Sequence, residues 1–366
     1  MGRAAQRGLS RCAVTFAIPG DLSARTGGYI YDARVLRLLP DFGIDVTHLE
    51  LPAAFPRPDA ADLDITLTRL NAVPAHHILL VDGLAFGAFP GPLLKRLENP
   101  AVALVHHPLG LETGLPVAER GAFIERERQA LTCAAHIIVT SGWTRRILMD
   151  SFGAAGGRIT VAEPGTDKAP QASGGLGASL NLLAVGAVIP RKGYTFLIEA
   201  LSRLTALDWK MRIIGGVDRD LACARALRAQ IENSGLAHRV ELCGELSEDD
   251  LRATYQSADI FVMPSLLEGY GMALAEAMAC GLPIVATRAG ASCETVPDGA
   301  AVKIDAGDGA QLEGALCSLI CDSARRTELC AASWAAGRRL KDWTDTACVI
   351  AGCLAAVAAR RGAAVS

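Results

Sequence analysis

The stretch Glu268-Gly269-Tyr270-Gly271-Met272-Ala273-Leu274-Ala275-Glu276 decides how the chain is read, with Met263-Pro264-Ser265 upstream and Ala277-Met278-Ala279-Cys280-Gly281-Leu282-Pro283 downstream. Ile260 to Met263 is a short apolar run that predicts a buried strand. Met272 to Ala279 predicts a small-residue helix whose one polar group is Glu276. The two glycines between them let backbone N–H groups approach a ligand closely. The helix N-terminus adds unpaired donors and a partial positive charge, suited to an anion or to sugar hydroxyls. An acid in so apolar a helix costs desolvation unless something meets it. Either Glu276 pairs with a neighbouring arginine or it holds a ligand.

Outward from this stretch the pattern repeats. Asn181 to Gly186, Met211 to Gly216, Val240 to Cys243 and Ile284 to Ala286 predict further strands, each followed by a turn and most by a helical pattern. Arg191-Lys192, in the loop Ile189-Pro190-Arg191-Lys192-Gly193, puts two cations between a strand and a helix N-terminus. That is a phosphate site if the pair faces a ligand and a solvated pair if it does not. In the first half the strands are Cys12 to Ile18, Ile44 to Leu49, Ile78 to Val81, Val102 to Val105 and Ala135 to Thr140, and Ile159 to Ala162 ends at the turn Glu163-Pro164-Gly165-Thr166-Asp167. The first leads into Pro19-Gly20-Asp21 and Thr26-Gly27-Gly28-Tyr29, and the fourth into His106-His107-Pro108. Imidazoles at a strand's carboxyl end are as readily functional as structural, because ligands bind at that end of a parallel sheet.

Strands alternating with helices predict an α/β protein of two doubly wound domains sharing one layout. The expected divisions are residues 1–168, residues 169–345 beginning with the Gly- and Pro-rich linker Ala169 to Ser179, and residues 346–366. The last contain an alanine-rich helix, Ala347 to Ala359, expected to pack back across the domains and to be too short for a bilayer. A chain of 366 residues, 51% hydrophobic, suffices for two cores. A net charge of -3 and 5% aromatic residues argue against nucleic acid as a partner. The eleven cysteines contain no CxxC pair and are odd in number, which points to buried thiols in a reducing compartment rather than zinc or disulfides. Met1 to Arg11 is basic, but the apolar run after it is short and leads straight into a glycine loop, as a first strand would. The expected location is therefore cytoplasmic. Arg3, Arg7 and Arg11 are a hint of peripheral membrane contact at the inner face.

Three segments carry a resemblance: Leu183–Leu201 (LAVGAVIPRKGYTFLIEAL), Gly244–Pro264 (GELSEDDLRATYQSADIFVMP) and Leu267–Ala286 (LEGYGMALAEAMACGLPIVA). They resemble retaining glycosyltransferases of family 4, which have the GT-B fold of two Rossmann-like domains facing a cleft. Gly27-Gly28, His106-His107-Pro108 and Glu163-Pro164-Gly165-Thr166-Asp167 fall in the matching order, and Glu268 and Glu276 form the family's Glu-seven-residues-Glu motif. The resemblance implies that Glu268 holds donor-sugar hydroxyls and Glu276 the nucleotide ribose. It implies that backbone N–H groups of Gly269, Tyr270, Gly271 and Met272 reach the sugar and diphosphate, and that Lys192 holds the diphosphate. Where the family has an arginine after the strand glycine this chain has Ala187, so Arg191 is expected to supply the second cation. His106 matches the histidine near the donor sugar. Gly28 lies in the loop approaching the diphosphate, Gly27 and His107 face the acceptor, and the base is expected near Gly244 to Leu246.

The implied reaction moves a sugar from a UDP- or GDP-sugar to an acceptor hydroxyl with retention, without a cofactor or divalent metal. The acceptor (a glycan, a lipid-linked intermediate or a small molecule) is not legible. Alternatives are a sugar-nucleotide epimerase or hydrolase on the same fold, and a non-catalytic nucleotide-sugar binding subunit. An NAD dehydrogenase fits poorly, since no Gly-x-Gly-x-x-Gly follows the first strand.

Overall fold

The computed structural model describes residues 12–175 and 177–365; the basic start with Arg3, Arg7 and Arg11 lies outside them. Two six-stranded sheets form, one per half. The first contains β1 (Cys12–Pro19), β2 (Ile44–Leu51), β3 (Ile78–Asp82), β4 (Ala101–Val105), β5 (His136–Val139) and β6 (Ile159–Val161) in the order β2-β1-β3-β4-β5-β6. The second contains β7 (Leu180–Val185), β8 (Trp209–Ile214), β9 (Val240–Gly244), β10 (Ile260–Met263), β11 (Ile284–Thr287) and β12 (Ala301–Ile304) in the order β12-β11-β10-β7-β8-β9. Every pairing is parallel, as in the register Val14 opposite Val46 on one side and Ile78 on the other. Helices cover both faces, so the strands read as continuous apolar runs.

Both halves are doubly wound, as expected, but they do not share one strand order. In the second domain the chain starts at the central β7, runs out to β9, and returns to the other side through β10. This is the dinucleotide-binding order. In the first, only β2 lies on the near side of β1. Hydrophobic periodicity locates strands but does not say to which edge each crossover returns. In both domains the crossovers diverge beside the first strand, which opens a crevice at the carboxyl ends of the strands. The glycine loop after β1, the histidine loop after β4, the cation loop after β7 and the Glu268 loop after β10 all lie at that end.

Strand β12 was not legible: it is four residues long, contains Lys303, and pairs only with β11 at the sheet edge. Among its described residues the linker 169–179 forms no helix or strand, but it is fastened to the second domain. The Ala172 N–H donates to the Cys280 carbonyl at 2.8 Å and the Ser173 N–H to that of Gln256 at 3.0 Å.

The last helix is longer than expected, spanning Trp343–Val365 over 23 residues. Its Trp343–Arg361 portion reaches a mean hydropathy of 1.2, so by length and composition it is not too short for a bilayer. Its apolar stripe is used otherwise. Trp343, Ile350, Ala351, Leu354 and Val357 are buried in the first domain's core with Val14, Phe16, Ile18, Tyr31 and Val35. The spacing of seven, four and three residues from Trp343 through Ile350 and Leu354 to Val357 sets these side chains on one helix face. The helix therefore leaves the second domain and completes the first.

Candidate active site

The cation loop begins where β7 ends. Pro190–Lys192 make one tight turn, and Gly193 closes it in the left-handed region at φ 66°. A Cβ at Gly193 would stand 2.1 Å from the Pro264 carbonyl oxygen, so only glycine lets this turn pack on the loop after β10. That packing brings the two motifs together. Lys192 Nζ donates to Glu268 Oε1 at 2.8 Å, and Arg191 donates to the Leu267 carbonyl at 2.9 Å while standing 3.7 Å from Glu268 Oε2. Glu268 is buried, at 5% exposure. Burial alone would push its carboxyl up, but the positive charges of Lys192 and Arg191 outweigh that and hold it below the usual carboxylate range. Glu268 is an ionised, prepositioned acceptor, and the cations are kept in place without a ligand.

Gly269 follows, packed against the His106 backbone of the first domain. A Cβ there would lie 2.4 Å from the His106 carbonyl oxygen. The Tyr270 carbonyl accepts from Thr295, which fixes the loop before Gly271 caps the helix Met272–Ala279. Glu276 sits half-buried on that helix. Among the described residues no arginine pairs with it; its hydrogen-bond partner is Tyr255, whose hydroxyl donates to Oε2 at 2.8 Å. Burial pushes the Glu276 carboxyl up to about 7, against the lowering effect of that hydrogen bond. The arginine alternative is thereby removed, and a carboxyl with spare acceptor capacity remains. Gly244 ends β9, and the Leu246 carbonyl accepts from Arg25 of the first domain, so the region expected to hold the base is spanned across the cleft.

The opposite wall belongs to the first domain. His106 leaves β4 with Nε2 3.1 Å from Asp32 Oδ1 and 3.4 Å from Asp82 Oδ2, and its ring meets Tyr31 edge-on at 5.2 Å. Gly28 lies against the His106 ring and Gly27 faces Met272 across the cleft. Asp32 is fully buried, and burial drives its carboxyl up to about 7 even though His106 pulls it down. Burial would lower His106, but Asp32 and Asp82 together raise it to about 10. The three donor atoms lie within 4.8 Å of one another. His107 Nε2 stands 3.3 Å from Glu112 Oε2, and the other oxygen of Glu112 reaches Arg191 Nε at 3.1 Å. Burial opposes ionisation of Glu112, yet the His107 hydrogen bond and the Arg191 charge bring its carboxyl down to about 2.

The structure thus gathers His106, His107, Gly27, Gly28, Arg191, Lys192, Glu268 and the Gly269–Met272 loop on facing walls. Sequence reading missed Asp32, Asp82, Glu112, Tyr255 and Arg25. Two of these carried a signal: Asp82 ends a buried strand as His106 follows one, and Asp32 interrupts the apolar stripe of Tyr31 and Val35. Arg25 meets Leu246, and Glu112 meets Arg191, only from the other domain, and no local pattern announces that.

Comparison with known proteins bears on the family and the fold. Residues 179–322 match the family described as glycosyl transferases group 1. A D-inositol 3-phosphate glycosyltransferase of Acidothermus cellulolyticus is 31% identical over 272 residues, covering 69% of this chain and 58% of that protein. An MMP alpha-(1->4)-mannosyltransferase of Mycolicibacterium hassiacum is 27% identical over 225 residues, covering 58% and 54%. The chain thus spans just over half the length of these curated relatives. Among solved structures, the sucrose-phosphate synthase of Thermosynechococcus elongatus superposes with a TM-score of 0.80 at 19% identity over 96% of this chain and 100% of that one. Anabaena HepE, solved in complex with UDP and glucose, superposes at 0.72 and 18% identity over 92% and 98%. These two likenesses establish the fold.

Proposed function

We propose, on the premise that the chain is a GT-B member of the group 1 glycosyl transferases, that it moves a sugar from a nucleotide-sugar donor to an acceptor hydroxyl with retention at the anomeric carbon. The observation that carries this is the Lys192–Glu268 pair at 2.8 Å with Arg191 beside it, facing His106 across the cleft. Lys192 and Arg191 take the diphosphate, Glu268 the sugar hydroxyls, and Glu276 the ribose. Backbone N–H groups of Gly269 to Met272 meet the sugar and diphosphate, and the base lies along Gly244 to Leu246. Gly28 approaches the diphosphate, and Gly27 and His107 line the acceptor side. The UDP and glucose held by HepE favour a UDP-sugar as donor.

The acceptor oxygen bonds to the anomeric carbon on the face from which the nucleoside diphosphate leaves, and the departing phosphate oxygen takes the acceptor's proton. Positioning and charge stabilisation of that phosphate are the protein's contribution. The two cations do the neutralising work a divalent ion would otherwise do. Asp32, Asp82 and His106 have the donor types of a metal site. The Asp32 and Asp82 carboxyls favour a proton on the His106 ring, which a metal would have to displace.

Incubating the purified protein with UDP-, GDP- and ADP-sugars, scored by thermal shift and nucleoside diphosphate release, tests this proposal. Stabilisation by at least one donor is expected, and its release should accelerate with a competent acceptor. Stabilisation by none would sink it. Donor consumption that yields an epimer with no acceptor present would favour the epimerase instead.

A further inference from the structure

Asp32 has no part in the roles assigned above, and its surroundings are unusual. It lies on the helix Gly27–Leu38 with no solvent exposure, and among the described residues its Oδ2 has no hydrogen-bond partner. Oδ1 faces His106 Nε2 at 3.1 Å, and Asp82, at the end of β3, faces the same nitrogen at 3.4 Å. Two carboxyl groups converging on one ring nitrogen leave the other, Nδ1, without a protein partner among the described residues. The Tyr31 ring fixes the imidazole from the side. Other ionisable groups nearby do not offset the arrangement. The Tyr31 hydroxyl donates to the Ala162 carbonyl, Tyr29 donates to Pro19, and Glu268 on the facing loop is occupied by Lys192.

We infer that Asp32 is a positioning residue: with Asp82 it clamps His106 by Nε2 and keeps Nδ1 a hydrogen-bond donor to the sugar nucleotide, so that His106 does not act as a base. An ionised carboxylate beside an imidazole favours its charged form, and a second one on the same nitrogen adds to the effect. In that form both ring nitrogens carry protons. His106 then offers Nδ1–H to an oxygen of the donor and cannot accept the acceptor's proton, which leaves the departing phosphate to take it. The consequence for transfer rests on the function proposed above, but the clamp itself does not.

The test is a nuclear magnetic resonance titration of the ¹⁵N-histidine-labelled full chain from pH 6 to 9 without donor, with His106→Gln used only to assign the resonance. In the unaltered protein His106 should stay protonated throughout, and in Asp32→Asn it should titrate at least one pH unit lower. Turnover of Asp32→Asn should then fall across that range at high pH, while the unaltered enzyme shows no such loss. Titration of the unaltered protein near the ordinary histidine value would overturn the inference, and that measurement decides the matter even if Asp32→Asn fails to fold. An unchanged titration in a folded Asp32→Asn would also overturn it. A protein with the expected titration that binds no sugar nucleotide would leave the clamp standing and remove the proposed function instead.

Discussion

Glu112 of the first domain and Arg191 of the second meet across the cleft, Oε1 to Nε at 3.1 Å, yet the Nε–H is not aimed to make a hydrogen bond. The pair is an ion pair by proximity, and Arg191 also stands 3.7 Å from Glu268. In the function proposed above, an incoming diphosphate competes with Glu112 for the same guanidinium.

Glu112→Gln should therefore tighten donor binding. The gain should be at most about fivefold in Kd, since a partly solvated ion pair is worth about 0.2–1 kcal/mol. Calorimetric titration with the nucleoside diphosphate checks it, and weaker binding in the variant would mean that Glu112 helps to hold Arg191 in place for the ligand.

Lys192→Ala should lower turnover by about 100-fold or more, the cost of losing one preorganised charge at a developing anion. It also strands Glu268 as a buried carboxylate with only Arg191 nearby, so stability should fall by about 3–5 kcal/mol. The double variant Lys192→Ala/Glu268→Gln should regain much of that stability and none of the turnover. Thermal melts and initial rates separate the two effects, and unchanged kinetics in the single variant would remove Lys192 from the chemistry.

Glu276→Gln should raise the KM for donor with turnover at saturation little altered. Its carboxyl is pushed up to about 7, so in the free enzyme it ionises as pH rises through neutrality. A carboxylate accepts from ribose hydroxyls better than a neutral acid does. KM should therefore fall from pH 6 to 8 in the unaltered protein and stay flat in the variant. The same slope in both would assign it to another group.

Glu127 makes a stability prediction of the opposite sign to most acids. It is fully buried, accepts the Leu109 N–H at 3.0 Å, and burial raises it to about 8 against the pull of the Leu109 and Gly110 N–H groups. The unfolded chain releases this proton at about 4.3. Between those values the native state holds more protons, so this contribution to stability falls as pH rises. The melting temperature of the unaltered protein relative to Glu127→Gln should be highest near pH 4 and decline toward pH 8. A difference independent of pH would show that Glu127 ionises normally.

Much of this architecture was legible because both sheets are parallel and buried on two faces, which leaves plain apolar runs punctuated by glycine. Ten strands stand out that way. Strand β12, with Lys303 in four residues at an edge, does not. Lys192 and Glu268 were identifiable because each sits in a loop between a strand and a helix, where such residues meet ligands. Asp32 and Glu112 were not singled out, since their roles come from what the fold sets opposite them: His106 for one, Arg191 for the other. Strand order and the cross-cleft pairs are tertiary facts with no periodic trace.

The helix Trp343–Val365 has a bearing on how the chain is made. Strand β1 has Val14, Phe16 and Ile18 against Ile350, Leu354 and Val357, so its cover is synthesised long after it. The N-terminal domain must wait, with an apolar face uncovered, from the end of β6 at Val161 until Val357 has emerged, 357 − 161 = 196 residues later. At about 5–20 residues per second, that is roughly 10–40 s of exposure. Nascent-chain protection by holding chaperones, and failure of the isolated first domain to stay soluble, follow from where that one helix packs.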